Sequence, residues 1–134
     1  MSEENVEIVT RTIDAWNRGD LDGVLAGAHP DLEWHPVLPA GVEGSGGVYR
    51  GLDEARQFWA EFWDMFDEFR ITIQSARAVG TSVLVLAQIQ GRAQSGVPVD
   101  SSWGAVFEMR DGLCVKTESF LDHKSALEAA APSE

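Results

Sequence analysis

Apolar positions along this chain change their spacing from one segment to the next, and the changes mark out its elements. Between Ser2 and Arg18, Val6, Ile8, Val9, Ile13, Ala15 and Trp16 share one half of a helical wheel, with Thr12 inside that arc and Glu7, Arg11, Asp14 and Arg18 opposite. That predicts an amphipathic first helix, stopped by Gly19 and followed by a short second helix capped by Asp20 and running to about Ala28. From Asp31 to His35 the period drops to two. Leu32 and Trp34 alternate with Glu33 and His35, as expected of a short strand with an apolar face and a titratable one. Two prolines and five glycines between Pro36 and Gly51 predict a long irregular connection, of the kind that often serves as a lid.

A helical period returns from Leu52 to Phe69. Ala55, Phe58, Trp59, Phe62, Trp63, Met65, Phe66 and Phe69 span an arc of roughly 160° at 100° per residue, with Glu54, Gln57, Glu61, Asp64 and Glu68 opposite. Such a face must be buried against something broad and apolar. After Arg70 the pattern predicts strands over Ile71 to Val79, Ser82 to Arg92, Val97 to Met109 and Leu113 to Leu121. Turn signals at Gly80-Thr81, Gln94 to Gly96 and Asp111-Gly112 join them into an antiparallel meander, and Asp122 caps a last helix from His123 to about Ala130. Helices first and a meander afterwards define an α+β fold in which helices pack on a curved antiparallel sheet.

A two-residue turn at Asp111-Gly112 pairs Arg110 with Leu113, Val106 with Thr117 and Gly104 with Ser119. That register gives one face to Asp100, Ser102, Gly104, Val106, Glu108, Val115, Thr117, Ser119 and Leu121, and the other to Trp103, Ala105, Phe107, Met109, Cys114, Lys116, Glu118 and Phe120. A one-residue bulge would exchange these sets. Both faces are partly apolar, so each is expected to be covered, one by helices and the other by a partner subunit.

The 134 residues suit a single domain, 1–134, able to bury one substantial core. Ten Lys and Arg against 22 Asp and Glu give a formal charge of -12, with the basic residues scattered, so nucleic acid is not an expected partner. Neither end carries a charged leader followed by an apolar run, and no stretch is long enough to enter a membrane. The lone Cys114 excludes an internal disulfide, and a reducing, cytoplasmic setting is expected. His29, His35 and His123 lie far apart without a second His or Cys at ligand spacing, so neither metal nor cofactor is called for.

His35 is the first candidate for chemistry, because histidine alone titrates near neutrality without perturbation. Glu33, two residues away on the same strand face, is placed to orient the ring. The plain alternative is a satisfied rim histidine beside a solvated carboxylate. Trp16, Trp34, Tyr49, Trp59, Phe62, Trp63 and Phe66 are candidates to line a pocket for a flat apolar molecule, against the alternative of ordinary core packing. Thr117, Ser119 and Asp100 face the same cavity in the register above. Cys114 has no neighbouring His and reads as a reduced core thiol. Asp122-His123 reads as a helix cap, and Gly44 to Gly47 lack the strand and helix context of a phosphate loop.

The chain resembles the SnoaL-like branch of the NTF2-like superfamily, the cone-shaped α+β fold shared with ketosteroid isomerases and scytalone dehydratase. The resemblance rests on Ala15-Trp16-Asn17-Arg18-Gly19-Asp20-Leu21, Pro30-Asp31-Leu32-Glu33-Trp34, Val48-Tyr49-Arg50-Gly51, Arg110-Asp111-Gly112, Leu121-Asp122 and Ala126-Leu127-Glu128-Ala129-Ala130. It implies a cone enclosing a pocket for a small apolar or aromatic organic molecule, and a homodimer formed through the sheet. It also puts His35 at the isomerases' general-base position, while Thr12 and Gly104 stand where their oxyanion Tyr and protonated Asp belong. Ser119 stands where the family's polyketide cyclases carry an acid. Two functions therefore remain: a cofactor-free acid-base enzyme of isomerase, dehydratase or hydrolase type using His35 and Glu33, or a non-catalytic ligand-binding or dimerising module.

Overall fold

The computed structural model describes residues 2–37 and 47–130. Within them the order is α1 (Ser2–Asn17), α2 (Leu21–Leu25), β1 (Ala28–His35), β2 (Tyr49–Arg50), α3 (Gly51–Met65), β3 (Phe66–Val79), β4 (Ser82–Ala93), β5 (Pro98–Arg110), β6 (Leu113–Phe120) and α4 (His123–Ala130). The strands form one sheet in the order β2-β1-β6-β5-β4-β3. Strands β3 to β6 are the expected antiparallel meander, whereas β1 runs parallel to β6 and carries the two-residue β2 antiparallel on its outer edge.

Local chemistry explains the ends of several elements. Gly19 adopts φ 71°, beyond the reach of most side chains, and the Asp20 carboxylate accepts the Gly23 N–H at 3.0 Å to start α2. Asp111 and Gly112, at φ 54° and 78°, form the tight turn the sequence announces. Asp122 caps α4 by accepting the Ser125 N–H at 2.7 Å. Asn17, the last residue of α1, bonds both backbone groups of Ile71, each at 2.8 Å. β3 is an edge strand, so this side chain occupies hydrogen-bonding positions that a further strand would otherwise fill.

Val83, Val85, Ala87 and Ile89 of β4 point toward α1 and α3 and meet Val9, Ile13, Phe58 and Phe62 in the main core. Leu84 points the other way, packing with Val106 and Ala126 beneath α4. Period-two alternation thus gives the sheet two covered faces, the second by a short helix.

Besides α2, which ends at Leu25 and not near Ala28, the structure departs from the sequence-based expectations at four places. The aromatic helix ends at Met65, four residues early, and Phe66 is extended at φ -126°, ψ 133°. Phe66 and Phe69 belong to β3, where pairing with Ala93 and Gly91 replaces another helical turn while their rings still meet at 5.0 Å. A bulge at Val115 lets two β6 residues oppose one on β5, so Phe107 pairs with Thr117 and Ala105 with Ser119. That exchanges the expected face sets: Thr117 and Ser119 join Trp103, Ala105 and Phe107, and Gly104 turns toward α4. The first strand begins at Ala28 and is parallel to its neighbour, not part of the meander. Of the connection expected from Pro36 to Gly51, residues 38–46 lie outside the described residues, and Tyr49 and Arg50 pair with Trp34 and Glu33.

Candidate functional site

A partly enclosed cavity of about 110 Å³ lies between the inner sheet face and helices α1 to α3. Its aromatic walls include Trp16, Trp34, Phe58, Phe62, Trp103 and Phe107, and Pro36 and Val37 continue them past the end of β1. Trp16 sits at the centre of the ring cluster, with centroids 5.5 Å from Trp34, 4.9 Å from Trp59 and 4.9 Å from Phe62 at steep interplanar angles. Edge-to-face packing of this kind fixes the rings as rigid walls. The Trp16 Nε1 atom is buried and has no hydrogen-bond partner.

Polar wall atoms are few and come mainly from β6. The Cys114 thiol lies 3.1 Å from the Thr117 hydroxyl and 3.4 Å from the Lys116 carbonyl, and Ser119 follows on the same face. Burial pushes the Cys114 thiol up to about 11, which outweighs the lowering by those two hydrogen bonds. The thiol therefore stays protonated at neutral pH and is a poor nucleophile. Thr12 also reaches the wall, but its hydroxyl donates to the Ile8 carbonyl at 2.9 Å. No Asp, Glu, Lys, Arg or His occurs among the described residues that line the cavity.

The candidates named from sequence divide into three groups. Trp16, Trp34, Phe62, Thr117 and Ser119 line the cavity. Tyr49, Trp59, Trp63 and Phe66 pack around the core behind it, Tyr49 against Phe58 at 4.8 Å and Phe66 against Phe62 at 4.5 Å. Glu33 and His35 point away from the cavity, because β1 alternates and Leu32 and Trp34 take its inner face. There His35 Nε2 is 3.3 Å from Glu33 Oε1, which Arg50 also approaches at 3.1 Å. The His35 ring is one-third exposed, yet Nε2 itself is buried and makes no aligned hydrogen bond. Asp100 bonds Gln88 at 2.8 Å and is not a cavity residue, and Gly104 faces Ala126.

Sequence reasoning missed Trp103 and Phe107 as cavity residues because it placed Thr117 and Ser119 on the opposite face. Cys114 was placed in the core correctly, but its contact with Thr117 depends on the bulge at Val115. Among the described residues, no group of three or more His, Cys, Asp or Glu is placed to hold a metal ion, and no helix is long and apolar enough to cross a membrane.

This architecture is that of the NTF2-like cone, a fold that in general binds small molecules. The model of the SnoaL-like domain matches residues 9–117, and the chain belongs to that family. An NTF2-like protein of unknown function from Burkholderia pseudomallei is 27% identical, covering 98% of this chain and 100% of that one at a TM-score of 0.79. TerC, crystallised with polyporic acid, is 25% identical over 95% of this chain and 98% of its own, with a TM-score of 0.78. A putative SnoaL-like polyketide cyclase from Jannaschia shares the fold at 23% identity and a TM-score of 0.74, covering 98% of this chain and 95% of that one. No curated protein matches the chain.

Proposed function

We propose that the chain binds a small apolar or aromatic organic molecule in the cavity between α1, α3 and the inner sheet face. The observation that carries this reading is a void of about 110 Å³ with rigid aromatic walls and a few hydroxyl and thiol groups gathered on one strand. The likeness to TerC, which was crystallised with polyporic acid, supports a ligand-binding use of the fold. A cytoplasmic, reducing setting agrees with the buried free thiol of Cys114. Titration with toluene, followed by tryptophan fluorescence and melting temperature, tests the reading. Saturable quenching with a rising melting temperature is expected, and the absence of both refutes it.

Acid-base turnover at the same cavity, with His35 as base and Glu33 orienting it, is the second reading. It is supported by the buried Nε2 of His35 beside the Glu33 carboxylate and by Pro36 and Val37, which bring the end of β1 to the cavity wall. The outward alternation of β1 weighs against it, so binding without chemistry is the better-supported function. If a turnover substrate is found, His35→Ala should abolish its conversion; undiminished conversion ends that role.

Homodimerisation through the outer sheet face belongs to the same proposal. Half-buried Leu86 and Phe120 and the exposed Leu127 of α4 support it. Glu33, Lys116 and Glu118 on the same face limit the apolar area available.

A further inference from the structure

We infer that the cavity selects an uncharged, single-ring molecule bearing a hydrogen-bond-accepting oxygen, with Thr117 as the residue that reads that oxygen. The inference rests on the ligand-binding function proposed above and adds the chemistry of the ligand. Charge is excluded first. The described walls hold no ionised side chain, so an anion or cation would be desolvated without a partner. The formal charge of -12 on the whole chain adds a longer-range repulsion against anions.

Size follows from the void. About 110 Å³ is of the order that holds one aromatic ring, against a wall of rings packed edge to face around Trp16.

Polarity follows from the hydrogen-bond inventory of the wall. The Thr12 proton is already given to the Ile8 carbonyl. Cys114 keeps its proton and donates it either to the Lys116 carbonyl or to the Thr117 oxygen. With the thiol donating to the Lys116 carbonyl, the Thr117 proton faces only the weakly accepting sulfur among the described residues; with the thiol donating to the Thr117 oxygen, that proton has no acceptor among them, so in both cases a ligand oxygen competes for it successfully. Trp16, with a buried Nε1–H lacking an acceptor, lines the same cavity. The hydroxyls of Thr12, Thr117 and Ser119 can accept as well as donate, whereas the Trp16 Nε1–H can only donate and has no partner among the described residues, so the group that completes the wall is an acceptor such as a ketone or ether oxygen.

The probes are acetophenone and isopropylbenzene, which have the same number of heavy atoms but differ in the oxygen. Dissociation constants would be measured by tryptophan fluorescence for the wild type, Thr117→Val and Thr117→Ser, with melting temperatures to verify folding. Thr117→Val should weaken acetophenone about fivefold and leave isopropylbenzene within about twofold, while Thr117→Ser keeps the wild-type pattern. Benzoate and benzylammonium should not bind. The inference is overturned if Thr117→Val leaves acetophenone affinity unchanged or weakens both neutral probes equally. It is overturned as well if a charged probe binds as tightly as acetophenone. Binding of the neutral probes in any of these cases leaves the cavity function standing; binding of neither removes both.

Discussion

Gly104 lies at the centre of β5 beneath α4, where a Cβ would sit 2.5 Å from the Ala126 Cβ. Ordinary carbon contacts are about 3.5–4.0 Å, so Gly104→Ala requires α4 to move outward by about 1 Å or more. Overpacking of this kind costs about 1–3 kcal/mol, partly offset by about 0.4–1 kcal/mol because alanine restricts the unfolded chain. The expected net loss is about 1–2 kcal/mol, or a melting temperature lower by about 3–10 °C in a chain of this size. Circular dichroism melts of the wild type, Gly104→Ala, Ala126→Gly and the double variant would measure it. Ala126→Gly alone should cost about 2 kcal/mol through helix propensity and a lost buried methyl group. If the steric contact is the cause, the double variant should be no less stable than Ala126→Gly by itself. A Gly104→Ala protein melting at or above the wild-type temperature, or a double variant losing the sum of both single effects, would refute the reasoning.

Burial raises the Cys114 thiol to about 11, above its unfolded value near 9, so the folded chain holds this proton to higher pH. The resulting stability is complete below pH 9 and is lost as pH rises through 11, by about 2–3 kcal/mol; Cys114→Ala should flatten that part of the denaturation profile, and an unchanged slope would contradict it. Self-association through the outer sheet face predicts a dimer mass at micromolar concentration, and a monomer mass by light scattering would contradict that mode of assembly.

Much of the fold was legible locally. The caps at Asp20 and Asp122, the Asp111-Gly112 turn and the limits of α1 and α4 follow from side-chain and backbone preferences within a few residues. Family motifs such as Trp16-Asn17-Arg18-Gly19-Asp20 led to the cone, and Trp16, Trp34, Phe62, Thr117 and Ser119, named from the sequence, line the cavity.

Tertiary structure decided which face each strand residue serves. A period of two separates Glu33 and His35 from Leu32 and Trp34, but only packing against Trp16 and Phe58 shows that the tryptophan side is the inner one. The extra residue Val115 exchanges every subsequent pairing in the β5–β6 hairpin, and no local preference announces it. Phe66 and Phe69 satisfy a helical spacing, and their place in β3 was settled by hydrogen bonding to β4. In this protein the sequence by itself determined most of the elements, their turns and the family. The membership of the cavity was fixed by long-range pairing: the added Val115 brings Thr117 to the side of Trp103, because one added residue reverses a strand's two faces without changing its composition, while packing leaves Gly104 against Ala126 and His35 outside the cavity lining.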